Sequence, residues 1–137
     1  MNPKHHTSLK IAKQLAEAGI VIESEFWWHF KIDELGNRCY GKLVHFPSNT
    51  SANDYPAPIA TELLERLPAS IQLAHPQSNS LTTYNAHYWK VPAGAYAEYV
   101  SAEMKTKYKH CGAYAEAQNL PDALALLLIR LTKDGLI

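Results

Sequence analysis

Leu9, Ala12, Leu15 and Ala16 recur at three- and four-residue intervals behind Thr7 and Ser8. This spacing predicts an amphipathic helix, capped by one of the two hydroxyls and closed at Gly19. From Ile20 the period changes to two. Ile20, Ile22, Phe26, Trp28, Phe30 and Ile32 fall on one face, and Glu23, Glu25, Trp27, His29 and Lys31 on the other, as in a half-buried strand. The turn-like run Asp33 to Asn37 and a returning strand from Arg38 to Phe46 complete a hairpin. A second helix carries Pro58 in its first turn, rows Ile59–Leu63–Leu67 and Ala60–Leu64, and Pro68 as its stop. Short strands are expected at Ala69 to Ala74, Leu81 to Val91, Tyr96 to Val100 and Tyr108 to Ala117, with Gly112 weakening the last. The final helix is the most strongly marked. Asn119 caps it, Pro121 and Asp122 occupy its first turn, Leu120, Leu124, Leu127, Leu128 and Leu131 share a stripe, and Gly135 ends it.

These elements predict one α+β domain over residues 1–137, an antiparallel sheet of about five strands packed by three helices in the order α-β-β-α-β-β-β-α. Residues 1–6 read as a frayed N-terminus, and 47–57 and 75–81 as surface loops. At 137 residues such a domain buries a core without needing a metal or disulfide.

Composition narrows the functional classes. Lys plus Arg and Asp plus Glu are each 13, so the formal net charge is zero and the excess of cations that phosphate binding demands is missing. The apolar run Ala123 to Leu131 is far below the ~20 residues of a membrane span and is interrupted by Arg130. No signal peptide is recognisable, which points to the cytoplasm and to Cys39 and Cys111 as free thiols.

Candidate chemistry is sparse. There is no Gly-rich phosphate loop. The two Cys and seven His lack the paired spacing of a structural zinc site, since only His110 and Cys111 are close. No metal and no cofactor is expected. A Cys–His nucleophile built from Cys111 with His87 or His29 is conceivable, with Lys107, Lys109 and His110 lowering the thiol pKa, but no local motif supports it. Glu23 and Glu25 share a strand face; an acid–base pair requires burial of one of them, and solvated glutamates are the simpler reading. Glu62 and Glu65 read as solvent surface. The run Lys105 to His110 is better explained as a lysine-guarded strand edge than as a nucleic-acid site.

Tyrosine is distributed unevenly. Six of the eight Tyr lie between Tyr84 and Tyr114, and adjacent Trp27 and Trp28 must point to opposite faces of their strand. Tyr and Trp are enriched at protein interfaces, although they also simply favour strands. The candidate interaction surface is therefore Trp27, Tyr84, Tyr88, Trp89, Tyr96, Tyr99, Tyr108 and Tyr114. The leading expectation is a non-enzymatic protein that binds a protein partner or self-associates. The alternatives are a small-ligand binder or small hydrolase with an aromatic-lined pocket near His29, His87 or Cys111, and, third, nucleic-acid binding.

The chain also resembles a loose family of small proteins encoded by phages and prophages. The residues that carry the likeness are the leading helix closed by Gly19, the acidic-aromatic run Glu23 to Trp28, the Pro-led helix Tyr55 to Pro68, and Asn119 to Ala125. The resemblance implies a mobile-element origin, residence in the host cytoplasm and no assigned activity. The segment from Tyr84 to Cys111 departs most from it.

Overall fold

The computed structural model describes residues 5–32, 34–45, 54–74, 81–91, 94–100 and 114–137. Three helices are present among them: α1 (Leu9–Glu17), α2 (Ala60–Arg66) and α3 (Leu120–Lys133). Seven strands accompany them: β1 (Phe26–Ile32), β2 (Arg38–His45), β3 (Tyr55–Pro56), β4 (Ser70–Ala74), β5 (Leu81–Val91), β6 (Gly94–Val100) and β7 (Tyr114–Ala117). All strand pairs are antiparallel, and the fold is α+β.

The strands form two sheets where the sequence suggested one: β2-β1-β3 and β4-β5-β6-β7. The short strand β3 falls in the stretch expected to be a loop. Its two residues pair with Trp27 and Trp28, and as an edge strand it tolerates the missing N–H of Pro56. The hairpin carries an irregularity, because Trp28 faces Leu43 while Phe30 faces Tyr40. Two steps on β1 thus match three on β2, and Gly41 lies in the longer stretch. Phe26 to Phe30 are all half-buried, without the expected alternation, and Ile32, expected on the buried face, is 65% exposed. The expected strand start at Ile20 also moves, to Phe26. Ile20 and Ile22 are buried, but the Arg66 guanidinium, not a neighbouring strand, donates to the Val21 carbonyl.

The main core lies between the helices and one face of the four-stranded sheet. Leu63 from α2, Ala95, Ala97 and Tyr99 from β6, Ala115 from β7, and Leu124, Leu127, Leu128 and Leu131 from α3 are all at most 2% exposed. Small residues on β6 and β7 let α3 approach the backbone closely. Gly94 shows how tight the edge is: a Cβ there would overlap the carbonyl oxygen of Ala117.

The ends of α1 and α3 follow the sequence signals, whereas Pro58, expected in the first turn of α2, precedes its N-cap Ile59. The Ser8 hydroxyl accepts from Ile11 N at 3.5 Å and the Asn119 side chain from Asp122 N at 2.9 Å. Gly19 and Gly135 have φ of 75° and 71°, the left-handed conformation expected past a helix end. Asp122 does more than the sequence indicates. Buried in the first turn of α3, it accepts a 2.7 Å hydrogen bond from the backbone N–H of Ser8 and so ties the start of α1 to the start of α3. Burial raises its pKa above the ordinary carboxylate value, against the opposing pull of its bonds to Ser8 and Asn119.

Candidate functional site

The N-terminal approach to α1 builds the first site. His6, assigned to a frayed end by sequence, is only 4% exposed, and Thr7 is fully buried. His6 forms an isolated antiparallel bridge with Ile59, and Thr7 donates to the Pro58 carbonyl from its backbone N at 2.9 Å and its hydroxyl at 2.8 Å. Trp28 Nε1 closes the seam with a 2.9 Å bond to the Thr7 carbonyl, while Trp27 Nε1 donates to Ser24 O at 3.0 Å. Each of the two adjacent indoles thus finds its own backbone acceptor.

Phe26, whose carbonyl accepts from Ala57 N at 2.8 Å, places its ring 4.5 Å from the His6 ring, edge to face at 65°. Beside this pair a cavity of about 390 Å³ opens between the first turns of α2 and α3. Phe26, Ile59, Ala60, Leu120 and Pro121 supply its apolar wall; His6 lies within it, and His5 and Thr61 are exposed at its margin. The Nδ1 atom of His6 is 3.4 Å from the Ala57 carbonyl. A carbonyl only accepts, so Nδ1 carries the proton and Nε2 keeps its lone pair. Burial lowers the His6 pKa below 6.5, with the Ala57 carbonyl and Glu62 opposing the shift.

Glu62, expected as solvent surface, organises the surrounding backbone instead. Its carboxylate accepts from Ser24 Oγ at 2.9 Å, Ile59 N at 3.0 Å and Glu25 N at 3.4 Å. Glu23 and Glu25 are exposed, so the burial that an acid–base pair requires is missing. Glu25 instead meets His45 at 3.3 Å, and the His45 ring lies 5.1 Å from Phe26.

The tyrosines divide between the two faces of the β4–β7 sheet. Tyr99 is a correction to the expected surface set: it is fully buried against α3, and its hydroxyl donates to Pro68 O at 2.5 Å. Desolvation raises its pKa to about 12. Tyr88 pairs with Ala97, which puts it on the helix-facing side, yet it is 46% exposed. Tyr84 stands opposite Ile71 in the ladder. Tyr96 and Tyr114 belong to the opposite face, with ring centroids 5.9 Å apart, and Trp89 stands opposite Tyr96 in the ladder. Tyr114 donates to Glu116 Oε2 at 2.6 Å, and burial together with that carboxylate raises its pKa. Glu98, in register with Tyr114, is buried on this face. Trp27 is half-buried in the other sheet. Among the described residues of the set, buried Tyr99 and Trp27 in the other sheet lie apart from the Tyr96–Tyr114 face.

Of the candidate catalytic residues, two lie among the described residues. His29 belongs to β1 and His87 to β5, in different sheets, while Cys111 and Tyr108 lie outside the described residues. His29 Nδ1 sits 3.2 Å from Asp54 Oδ1 without hydrogen-bond alignment, and Asp54 Oδ1 accepts from Phe30 N at 2.8 Å. Asp54 is a buried anchor for the hairpin. Among the described residues no three His, Cys, Asp or Glu side chains are placed to hold a metal ion, and no helix is long and apolar enough to cross a membrane. No protein-family model, curated protein or solved structure matches the chain.

Proposed function

We propose that the protein is a small accessory protein of phage or prophage type that acts by binding another protein through the sheet face bearing Tyr96 and Tyr114. The observation that carries this reading is the Tyr96–Tyr114 pair on the face turned away from α3, with Trp89 at the adjoining ladder position. Tyrosine presents rigid apolar area with a polar tip, the combination that anchors protein interfaces. Glu116 borders the pair, and Glu98 shares its face. Two such faces meeting would bring like charges together, so a partner with basic groups fits better than a second copy. The phage or prophage origin and a cytoplasmic setting rest on the sequence resemblance.

The test places a photo-crosslinking residue at Glu116 in the full chain, expressed in a bacterial host. One discrete protein adduct is expected, lost when Tyr96 and Tyr114 are both changed to Lys while the melting temperature holds. An adduct that survives both changes overturns the reading. Light scattering that shows a dimer abolished by the same changes replaces the separate partner with self-association.

A further inference from the structure

The cavity at the N-terminal seam lies apart from that face, and its chemistry points to a different kind of ligand. It is a cleft open to solvent, and its volume of about 390 Å³ falls within the ~300–1,000 Å³ range of small-molecule sites. Phe26, Ile59, Leu120 and Pro121 offer hydrocarbon surface, and no carboxylate, lysine or arginine of the described residues lines it. The wall therefore favours a neutral body and penalises a charged one, which would leave water without a compensating partner.

One polar group is set into this wall. The His6 ring is held on two sides, by the Ala57 carbonyl at Nδ1 and by the edge-to-face contact with Phe26. The residue is 96% removed from solvent, and the side-chain atom it engages among the described residues is Nδ1, which leaves Nε2 for the lining. A ring nitrogen of fixed direction on the lining is suited to one O–H or N–H donor. Thr61 at the exposed margin marks the way in.

We infer that this cavity binds a small neutral molecule with an apolar ring body of one or two rings and a single O–H or N–H donor, which His6 Nε2 accepts. Binding involves no covalent step. The inference does not depend on the protein-partner reading, because the two sites share no residue.

The test uses the full chain and three probes: 2-naphthol, naphthalene and 2-naphthoate. Titrations followed by backbone amide shifts should show saturable binding of 2-naphthol, with the largest shifts at His6, Phe26 and Leu120. Naphthalene, lacking the donor, should bind roughly three- to tenfold more weakly, the range one net hydrogen bond supplies. The carboxylate of 2-naphthoate should abolish measurable binding. In His6→Phe the preference for naphthol over naphthalene should vanish while both still bind. Ala60→Trp, which fills the cavity, should remove binding of both; if that variant does not fold, Thr61→Trp at the margin serves the same purpose. Imidazole nitrogen shifts should report a proton on Nδ1 of His6. Absence of saturable binding by either neutral probe, equal affinity for all three, or a proton on Nε2 overturns the inference.

Discussion

Replacing Tyr99 by Phe removes one oxygen from the core and leaves the ring in place. The lost group donates the 2.5 Å hydrogen bond to the Pro68 carbonyl, at the junction between α2 and β4. A carbonyl left without its partner in a mostly buried position costs about 1–2 kcal/mol, which in a chain of this length lowers Tm by about 3–10 °C at neutral pH. A second effect has the opposite sign. The phenol titrates at about 12 in the folded chain against an ordinary 10.0, because burial disfavours the phenolate. Between those values the folded state holds a proton that the unfolded state has released. The wild type is therefore fully stabilised below pH 10 and loses that contribution as pH rises through about 12. At about 1.4 kcal/mol per pH unit the loss is of the order of 3 kcal/mol, about half of it by pH 11. Tyr99→Phe lacks this limb, so its deficit at pH 7 should shrink with alkalinity and close near pH 11. Urea unfolding followed by far-UV circular dichroism at pH 7, 9, 10 and 11 measures both effects. A variant as stable as wild type at pH 7, or one whose deficit is unchanged at pH 11, would refute the placement of Tyr99 in the core.

Asp122→Asn keeps an oxygen for the Ser8 N–H and removes the buried charge. Since the folded-state pKa is raised above 3.8, the folded wild type binds the proton more tightly, and its stability falls as pH rises through the raised value. The variant should match or exceed wild type at pH 7, with the difference fading below pH 3.8; a loss above about 1 kcal/mol at pH 7 would show that the two helix starts need the charge. Gly94→Ala forces a Cβ onto the Ala117 carbonyl and should cost about 1–3 kcal/mol in urea unfolding, whereas an unchanged midpoint would mean that β7 shifts freely.

The features legible in the sequence are those whose cause is local. Asn119, Pro121, Asp122 and Gly135 mark the two ends of α3 because caps and left-handed residues act over a few positions. The hairpin is equally local. What escaped the sequence depends on partners far along the chain. His6 docks because Ile59 and Ala57, more than fifty residues away, supply its bridge and its acceptor. Glu62 resembles any outward helix residue until Ser24 and Glu25 come to rest beside it. The division of the strands into two sheets has no local signal either, because a strand's alternation does not say which sheet it joins. The parting of Tyr96 from Tyr99 is local. Tyr96 and Tyr99 stand three apart in one strand, and odd spacing puts them on opposite faces, so they never shared a surface.

The bond from Asp122 to Ser8 joins residues 114 positions apart. A ribosome delivers Ser8 early and Asp122 late, so α1 leaves the exit tunnel long before the carboxylate that anchors it exists. During that interval Ile11 and Leu15, buried in the finished fold, have no α3 to cover them. The covering of the first helix is therefore completed only by the last, and nascent chains stalled before residue 122 leave part of its apolar stripe open to chaperones and proteases.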